Sequence, residues 1–147
     1  MTSSDRALVD TNVLVYAVYP AMEHHAASKA LLDRAQAGEV SLCVTQQVLA
    51  EFFAVVTNAR RVSTARQPEE ALDAIEQFLA MPGMDVLPVL EEVSSRWITL
   101  VRQHPVTGGG VFDVQLAATM LVNGVHQIYT FNRPDFEQLG NLQVLEP

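Results

Sequence analysis

The sequence predicts an α/β sandwich around a mostly parallel sheet, and three observations carry that reading. Short apolar runs such as ALVD, VSLCVT and HQIYTF alternate with longer segments of helical period. ALVD and VSLCVT are largely apolar, as strands buried under helices are. The 147 residues contain no internal repeat, low-complexity tract or long linker, so one domain with a substantial core is expected over 1–147.

Residues 7–10 read as a short buried strand, followed by a helical turn through NVLVYAVY. HHAASKALLDRAQAG has helical period through Ala27, Ala30, Leu31, Arg34 and Ala35, and Gly38 is placed to cap it. VSLCVT is the second strand; its Cys43 is the single cysteine, so no internal disulfide is possible and a packing role is expected. TQQVLAEFFAVVTNAR is a strongly apolar helix with Thr45 as N-cap. QPEEALDAIEQFLAM opens with Pro68 and two glutamates, which suit the first turn of a helix. DVLPV is a short strand that Pro88 confines to a sheet edge. EEVSSRWITLVRQH is a further helix, broken by Pro105 and the loop TGGG. FDVQLAATMLVNG follows as a helix closed by Gly124, and HQIYTF and LQVLE are the last strands. Leu72, Ile75, Phe78, Leu79, Trp97, Ile98 and Leu100 read as core, with a partner groove or dimer face as alternatives.

Seventeen acidic residues stand against nine basic ones, giving a net charge of −8, and Lys29 is the single lysine. This balance argues against a general duplex-DNA binder, which needs basic excess to displace counterions. It leaves room for a cation-dependent site or a basic protein partner. No apolar run reaches the roughly 18 to 20 residues of a membrane span. The opening MTSSDRALVD lacks the basic and apolar regions of a signal peptide, so a cytoplasmic location is expected.

Parallel α/β sheets place their active groups beyond the carboxyl ends of the strands. Asp10 closes the first strand, where its ordinary reading is an N-cap. Glu51 lies on the margin of its helix's apolar face, beside Val48 and Val55, suited to solvent or to a cleft lip. Asp113 shares an inward stripe with Leu116, Ala117 and Met120, although a first-turn capping role is also open to it. In YTFNRPDF, Asn132 sits at a strand end; Pro134 and Asp135 also suit an ordinary turn. Several carboxylates cannot share a small site ionised without a counter-charge. A hard divalent cation, Mg²⁺ or Mn²⁺, supplies one and takes oxygen ligands.

VDTNVLVY, the His24–Ala27–Leu31 spacing after Pro20, Glu51 in LAEFF, FDVQLAATM and YTFNRPDF together resemble a PIN-domain ribonuclease. Among these, the VapC-type toxins of toxin–antitoxin pairs are most similar, over nearly the whole chain. The resemblance implies a PIN-like three-layer α/β/α sandwich and a magnesium-dependent endoribonuclease, with manganese as the other candidate. It assigns the acidic constellation to Asp10, Glu51 and Asp113. Asn132 stands at a fourth position that is often acidic, with Asp135 close behind. By the same resemblance Asp10 and Asp113 are direct metal ligands, Glu51 is a ligand or water-orienting base, and Thr11, Asn12 and Thr130 orient the site. It further implies an RNA substrate, a homodimer, and a small antitoxin whose Arg-bearing tail enters the acidic cleft. A PIN nuclease of RNA maturation and a PIN fold that binds without catalysis are the alternatives.

RNA requires positive contacts. Arg60, Arg61 and Arg66 form the one dense basic stretch, just beyond the Glu51 helix, and Arg133 adjoins the fourth position. They could grip phosphates or serve as solvated surface charge. TGGG lacks the GK[ST] ending of a phosphate-binding loop, so no nucleotide cofactor is expected. Histidine-based cleavage is disfavoured: His24 and His25 are adjacent and diverge on a helix, and His104 and His126 are scattered. A haloacid-dehalogenase phosphatase wants an aspartate where Asn12 stands. A receiver domain wants a late lysine, and none follows Lys29.

Overall fold

The computed structural model describes residues 5–147. Residues 1–4, which open the MTSSDRALVD stretch read above for signal-peptide features, lie outside them. Along the chain run β1 (Ala7–Val9), α1 (Thr11–Ala17), α2 (His25–Gln36), β2 (Leu42–Thr45), α3 (Gln46–Val56) and α4 (Pro68–Ala80). They are followed by β3 (Met84–Leu87), α5 (Val93–Gln103), α6 (Val111–Val122), β4 (Gln127–Tyr129), α7 (Arg133–Glu137) and β5 (Gln143–Leu145). The strands form one sheet in the order β3-β2-β1-β4-β5, and every pairing is parallel. Helices flank it: α1 packs on α2 and α3, α3 on α4, and α5 on α6.

The strand order explains where a site can form. From β1 the chain builds outward through β2 to β3, then returns to the other side of β1 to lay down β4 and β5. The connections therefore diverge between β1 and β4, which leaves a crevice beyond their carboxyl ends. Register aligns Val9 with Tyr129, and the Asp10 amide donates to the Tyr129 carbonyl at 3.0 Å. Asp10 and Thr130, the next residue on each strand, thus emerge side by side.

Local chemistry sets the elements. Thr45 caps α3, its Oγ1 accepting from the Val48 amide at 3.1 Å. Pro68 begins α4, and the Glu70 carboxylate accepts from the Gln67 amide at 2.9 Å. Gly38 ends α2 at φ 73°, a conformation that side chains with a Cβ resist. β3 stops at Leu87, before Pro88, and lies at the sheet edge as the proline requires. Cys43 is fully buried in the core, and that burial pushes its thiol up to about 12.

Four expectations change. α3 ends at Val56 rather than running to Arg60, because the Asn58 carbonyl takes the Arg61 and Val62 amides at 2.9 and 3.2 Å and turns the chain. TGGG is not an open loop, since Gly108–Gly110 form a 3₁₀ turn leading into α6. Residues 133–137, read as a turn, close into the short helix α7, with Pro134 in its first turn and Phe136 buried beneath it. The apolar helix set divides: Phe78 and Leu100 are buried, Ile75 and Trp97 pack partly on the core, and Leu72, Leu79 and Ile98 are exposed. No helix among the described residues is long and apolar enough to cross a membrane.

Candidate active site

A cavity of about 410 Å³ opens at the crevice beyond β1 and β4. Asp10, Thr11 and Asn12 enter it from the start of α1, Glu51 from α3, Asp113 from the first turn of α6 and Asn132 from the β4–α7 junction. Three carboxylates separated by tens of residues in sequence therefore face one space. Arg61 is the cationic residue in its lining.

Asp10 does cap α1, and it does more. One carboxylate oxygen, Oδ1, accepts from the Thr11 amide at 2.8 Å. The other, Oδ2, accepts from the Thr130 hydroxyl at 2.8 Å and the Asn12 amide group at 3.2 Å. Thr130 Oγ1 in turn accepts from the Asn132 amide at 3.0 Å, and the Phe131 amide donates to Asn12 Oδ1 at 3.2 Å. With only 7% of its surface exposed, Asp10 is fixed in orientation by α1 on one side and the end of β4 on the other. Burial raises its pKa; the Thr130 and Thr11 hydrogen bonds oppose the rise, and the charges of Glu51 and Asp135 add to it.

Glu51 is held at both oxygens. Thr11 Oγ1 donates to Oε2 at 3.0 Å, and Gln47 Nε2 donates to Oε1 at 3.1 Å. The same Gln47 amide reaches the Phe112 carbonyl at 3.0 Å, tying α3 to the residue before Asp113. Asp113 has its pKa pushed up to about 6, chiefly by burial and then by the charges of Asp135, Asp10 and Glu51. Those Coulomb effects report that the four carboxylates share one field.

The fourth position is divided between two residues. Asn132 lines the cavity without charge, while Asp135, exposed one turn along on α7, supplies the largest charge effect on Asp113. The arginines separate as well. Arg61 lines the cavity and Arg60 is exposed beside it. Arg66 turns inward, donating to the Val18 carbonyl with its guanidinium 5.0 Å from the centre of the Tyr19 ring. Arg133 pairs with Glu137 at 2.9 Å. None of the four histidines lines the cavity.

The sequence reading missed Gln47, although it lies four residues before Glu51 on one helical face, where side chains meet. It also missed Val15, Tyr16, Met22, Ala54 and Val55, the apolar part of the lining. A second hollow, about 660 Å³ and more apolar, lies on the other side of Glu51 against Val89 and Phe112.

The donors facing the cavity are oxygens. Among the described residues no three His, Cys, Asp or Glu side chains form a ready cage for a metal ion. A carboxylate set with no histidine or cysteine is a poor match for zinc, which favours nitrogen and sulfur ligands. It fits a hard cation that keeps several waters and needs only one or two carboxylates plus substrate oxygens, as Mg²⁺ and Mn²⁺ do.

The PIN domain family profile matches residues 7–142. Ribonuclease VapC43 of Mycobacterium tuberculosis is 34% identical over 115 residues, covering 78% of each chain. Ribonuclease VapC48 of the same organism is 29% identical over 141 residues, covering 94% of each. The chain belongs to the PIN-domain family, and these relatives are its VapC ribonucleases. Two solved structures share the fold. M. tuberculosis VapC20, described as a sarcin-ricin-loop-cleaving toxin, aligns with TM-score 0.70 at 20% identity, over 96% of this chain and 99% of that one. VapBC2 from Rickettsia felis, bound to a promoter DNA fragment, aligns with TM-score 0.67 at 19% identity, over 96% and 98%.

Proposed function

We propose that this protein is a magnesium-dependent endoribonuclease and the toxin of a toxin–antitoxin pair. The observation that carries the reading is the meeting of Asp10, Glu51 and Asp113 in one cavity, where burial and mutual repulsion raise the pKa of Asp10 and Asp113. Such a group calls for a positive partner. Asp10 and Asp113 would hold a Mg²⁺ or Mn²⁺ ion, with Glu51 as a further ligand or as base. When bound, the ion lowers the pKa of a coordinated water and offsets charge building on the phosphoryl oxygens.

The chain's own groups do the rest. Glu51, held by Thr11 and Gln47, is oriented to take a proton from the attacking water. In-line attack at phosphorus breaks the bond to O3′, leaving a 3′-hydroxyl, protonated from solvent, and a 5′-phosphate. The ribose 2′-hydroxyl takes no part. Thr130 and Asn12 keep Asp10 in place, and Arg61 offers a phosphate contact at the rim.

Partners follow from the same site. The relatives are named ribonucleases, and solved neighbours include a toxin–antitoxin complex from Klebsiella pneumoniae. An antitoxin segment carrying arginine would satisfy the acidic cavity, and the apolar hollow beyond Glu51, walled by Val89 and Phe112, suits an adjoining helix. The exposed Leu72, Leu79 and Ile98 suit a homodimer face. A cytoplasmic location accords with this role.

The test is RNA cleavage by the purified chain in Mg²⁺, with and without chelator, and with product ends identified. Cleavage that stops on chelation and yields 5′-phosphates supports the reading. Chelator-resistant cleavage, or 2′,3′-cyclic phosphate products, overturns it.

A further inference from the structure

Beyond the acids, the cavity changes character along its length. α1 and α3 pack together and both begin at the carboxyl edge of the sheet, so successive turns carry the lining away from it. The first turn of α1 brings Asp10, Thr11 and Asn12, and the second turn of α3 brings Glu51. One turn further, about 5 Å along each helix axis, the lining is Val15 and Tyr16 from α1 and Ala54 and Val55 from α3, with Met22 beside them. Beyond α3 stands Arg61. An anion-handling end, an apolar middle and a cation thus follow one another.

Tyr16 is the aromatic member of that middle section, and its ring is braced. It meets His24 edge-on at 5.1 Å and Phe131 edge-on at 5.3 Å, while His24 and Phe131 stack on each other at 4.1 Å. The Tyr16 carbonyl lies 2.8 Å from His25 Nδ1, which anchors the backbone as well. Phe131 joins the acids through its amide bond to Asn12 Oδ1. The ring is therefore fixed relative to the acids by two aromatic contacts and a short hydrogen-bond chain.

Resting on the ribonuclease reading above, we propose that this apolar section is a nucleobase subsite. It takes one unpaired base next to the scissile phosphate, against Tyr16, Val55 and Met22, with the following phosphate on Arg61. Three features select this ligand. A hydrated cation and a phosphate use oxygen donors and have no need of an apolar wall, whereas a base has a flat face to bury and stacks on aromatic rings. The order acid, apolar, cation repeats the order phosphate, base, phosphate along a strand. A base held in a duplex cannot leave its stack without losing pairing and stacking energy, so the subsite selects single-stranded or looped RNA.

The experiment uses the full chain and single-stranded RNA oligonucleotides of randomised sequence, with cut sites mapped in Mg²⁺. In one cleaved oligonucleotide, each nucleotide flanking the cut is replaced in turn by an abasic residue. One replacement is expected to lower kcat/KM by roughly 10- to 100-fold. Tyr16→Ala lowers cleavage of the intact oligonucleotide by a similar factor and is indifferent to the abasic change, and Tyr16→Phe restores it. In an Asp113→Asn background, expected to hold RNA without cutting it, 2-aminopurine at that position should lose fluorescence on binding, and Tyr16→Ala should abolish the quenching. The subsite is overturned if no abasic position matters, if the abasic penalty persists in Tyr16→Ala, or if a fully paired duplex of the same sequence is cut as fast. Absence of any magnesium-dependent cleavage by the wild-type chain overturns the ribonuclease reading instead; 2-aminopurine moved through every position of the oligonucleotide, with and without Tyr16→Ala, then decides the subsite by binding alone.

Discussion

At the carboxyl end of the sheet, β1 and β4 are joined beyond their last residues by side chains: Asp10, Asn12 and Thr130 form a hydrogen-bonded cluster. At the amino end, backbone hydrogen bonds tie the residue before β3 to the start of β2 and to α2. The Leu42 amide donates to the Gly83 carbonyl at 2.7 Å, and the Gly83 amide donates to the Ala35 carbonyl at 2.9 Å. A Cβ on Gly83 would collide with the Val40 and Ala35 carbonyl oxygens. One end is fixed by sterics and costs the fold nothing in charge. The other gathers carboxylates that repel one another, which lowers stability and prepares a site. Substitutions at the two ends should therefore move activity and stability independently.

The largest separation is expected at Asp113. Asp113→Asn should abolish RNA cleavage while the folded state becomes more stable at neutral pH. Its folded pKa of about 6 lies above the unfolded value near 3.8, so the native state holds the extra proton between those limits. Wild-type stability then falls as pH rises from about 4 to 6, and the asparagine variant lacks that share of the fall. At sub-saturating Mg²⁺, cleavage by the wild type should decline below about pH 6, where Asp113 takes up the proton that a cation must displace, and added Mg²⁺ should move the decline to lower pH. Urea unfolding at several pH values, beside a cleavage assay, checks both. A destabilised Asp113→Asn, or one that cuts RNA normally, removes the contrast.

Next in size is Thr130→Val, which keeps the shape of a fully buried side chain and removes the hydroxyl that Asp10 leans on. Outer hydrogen bonds of this kind typically contribute 10- to 100-fold in metal affinity. Mn²⁺ binding followed by electron paramagnetic resonance should weaken by about that factor. An unchanged affinity would make Thr130 part of the fold only.

Gly83→Ala addresses the opposite end. Forcing a methyl against two backbone oxygens is overpacking, which costs about 1–3 kcal/mol. Thermal unfolding should show that loss, with cleavage per folded molecule unchanged. A variant as stable as the wild type would show that the strand ends yield more readily than their close packing implies.

The two ends were also unequally legible in the sequence. Strand and helix succession, the edge placement of β3 and the caps at Thr45 and Gly38 rest on local residue chemistry and could be read directly. Asp10 and Asp113 could be singled out because strand ends and apolar stripes have fixed consequences for direction. The contacts that orient them could not. Asp10 and Thr130 are 120 residues apart, and only the β1–β4 register brings them together. Arg66 shows the converse: five residues after Arg61 and alike in charge, it is drawn inward by the Tyr19 ring and the Val18 carbonyl, which composition does not reveal. The short α7 was hidden for a different reason, since five residues carry too little periodicity to distinguish a helix from a turn.

The smallest effect expected is also the most specific to the active end. Gln47 uses one amide group to hold Glu51 Oε1 and the Phe112 carbonyl, so it sets the orientation of one acid and the approach of the helix that carries another. Each bond is partly exposed to water and contributes about 0.5–1.5 kcal/mol at most. Gln47→Ala should lower kcat several-fold through misoriented Glu51, with KM for RNA and the unfolding midpoint nearly unchanged. Gln47→Glu is the sharper probe, because it keeps the length of the side chain and replaces both donors with a carboxylate facing Glu51. Repulsion should then make it the slower of the two variants, whereas a merely space-filling role would leave Gln47→Glu closer to wild type than Gln47→Ala.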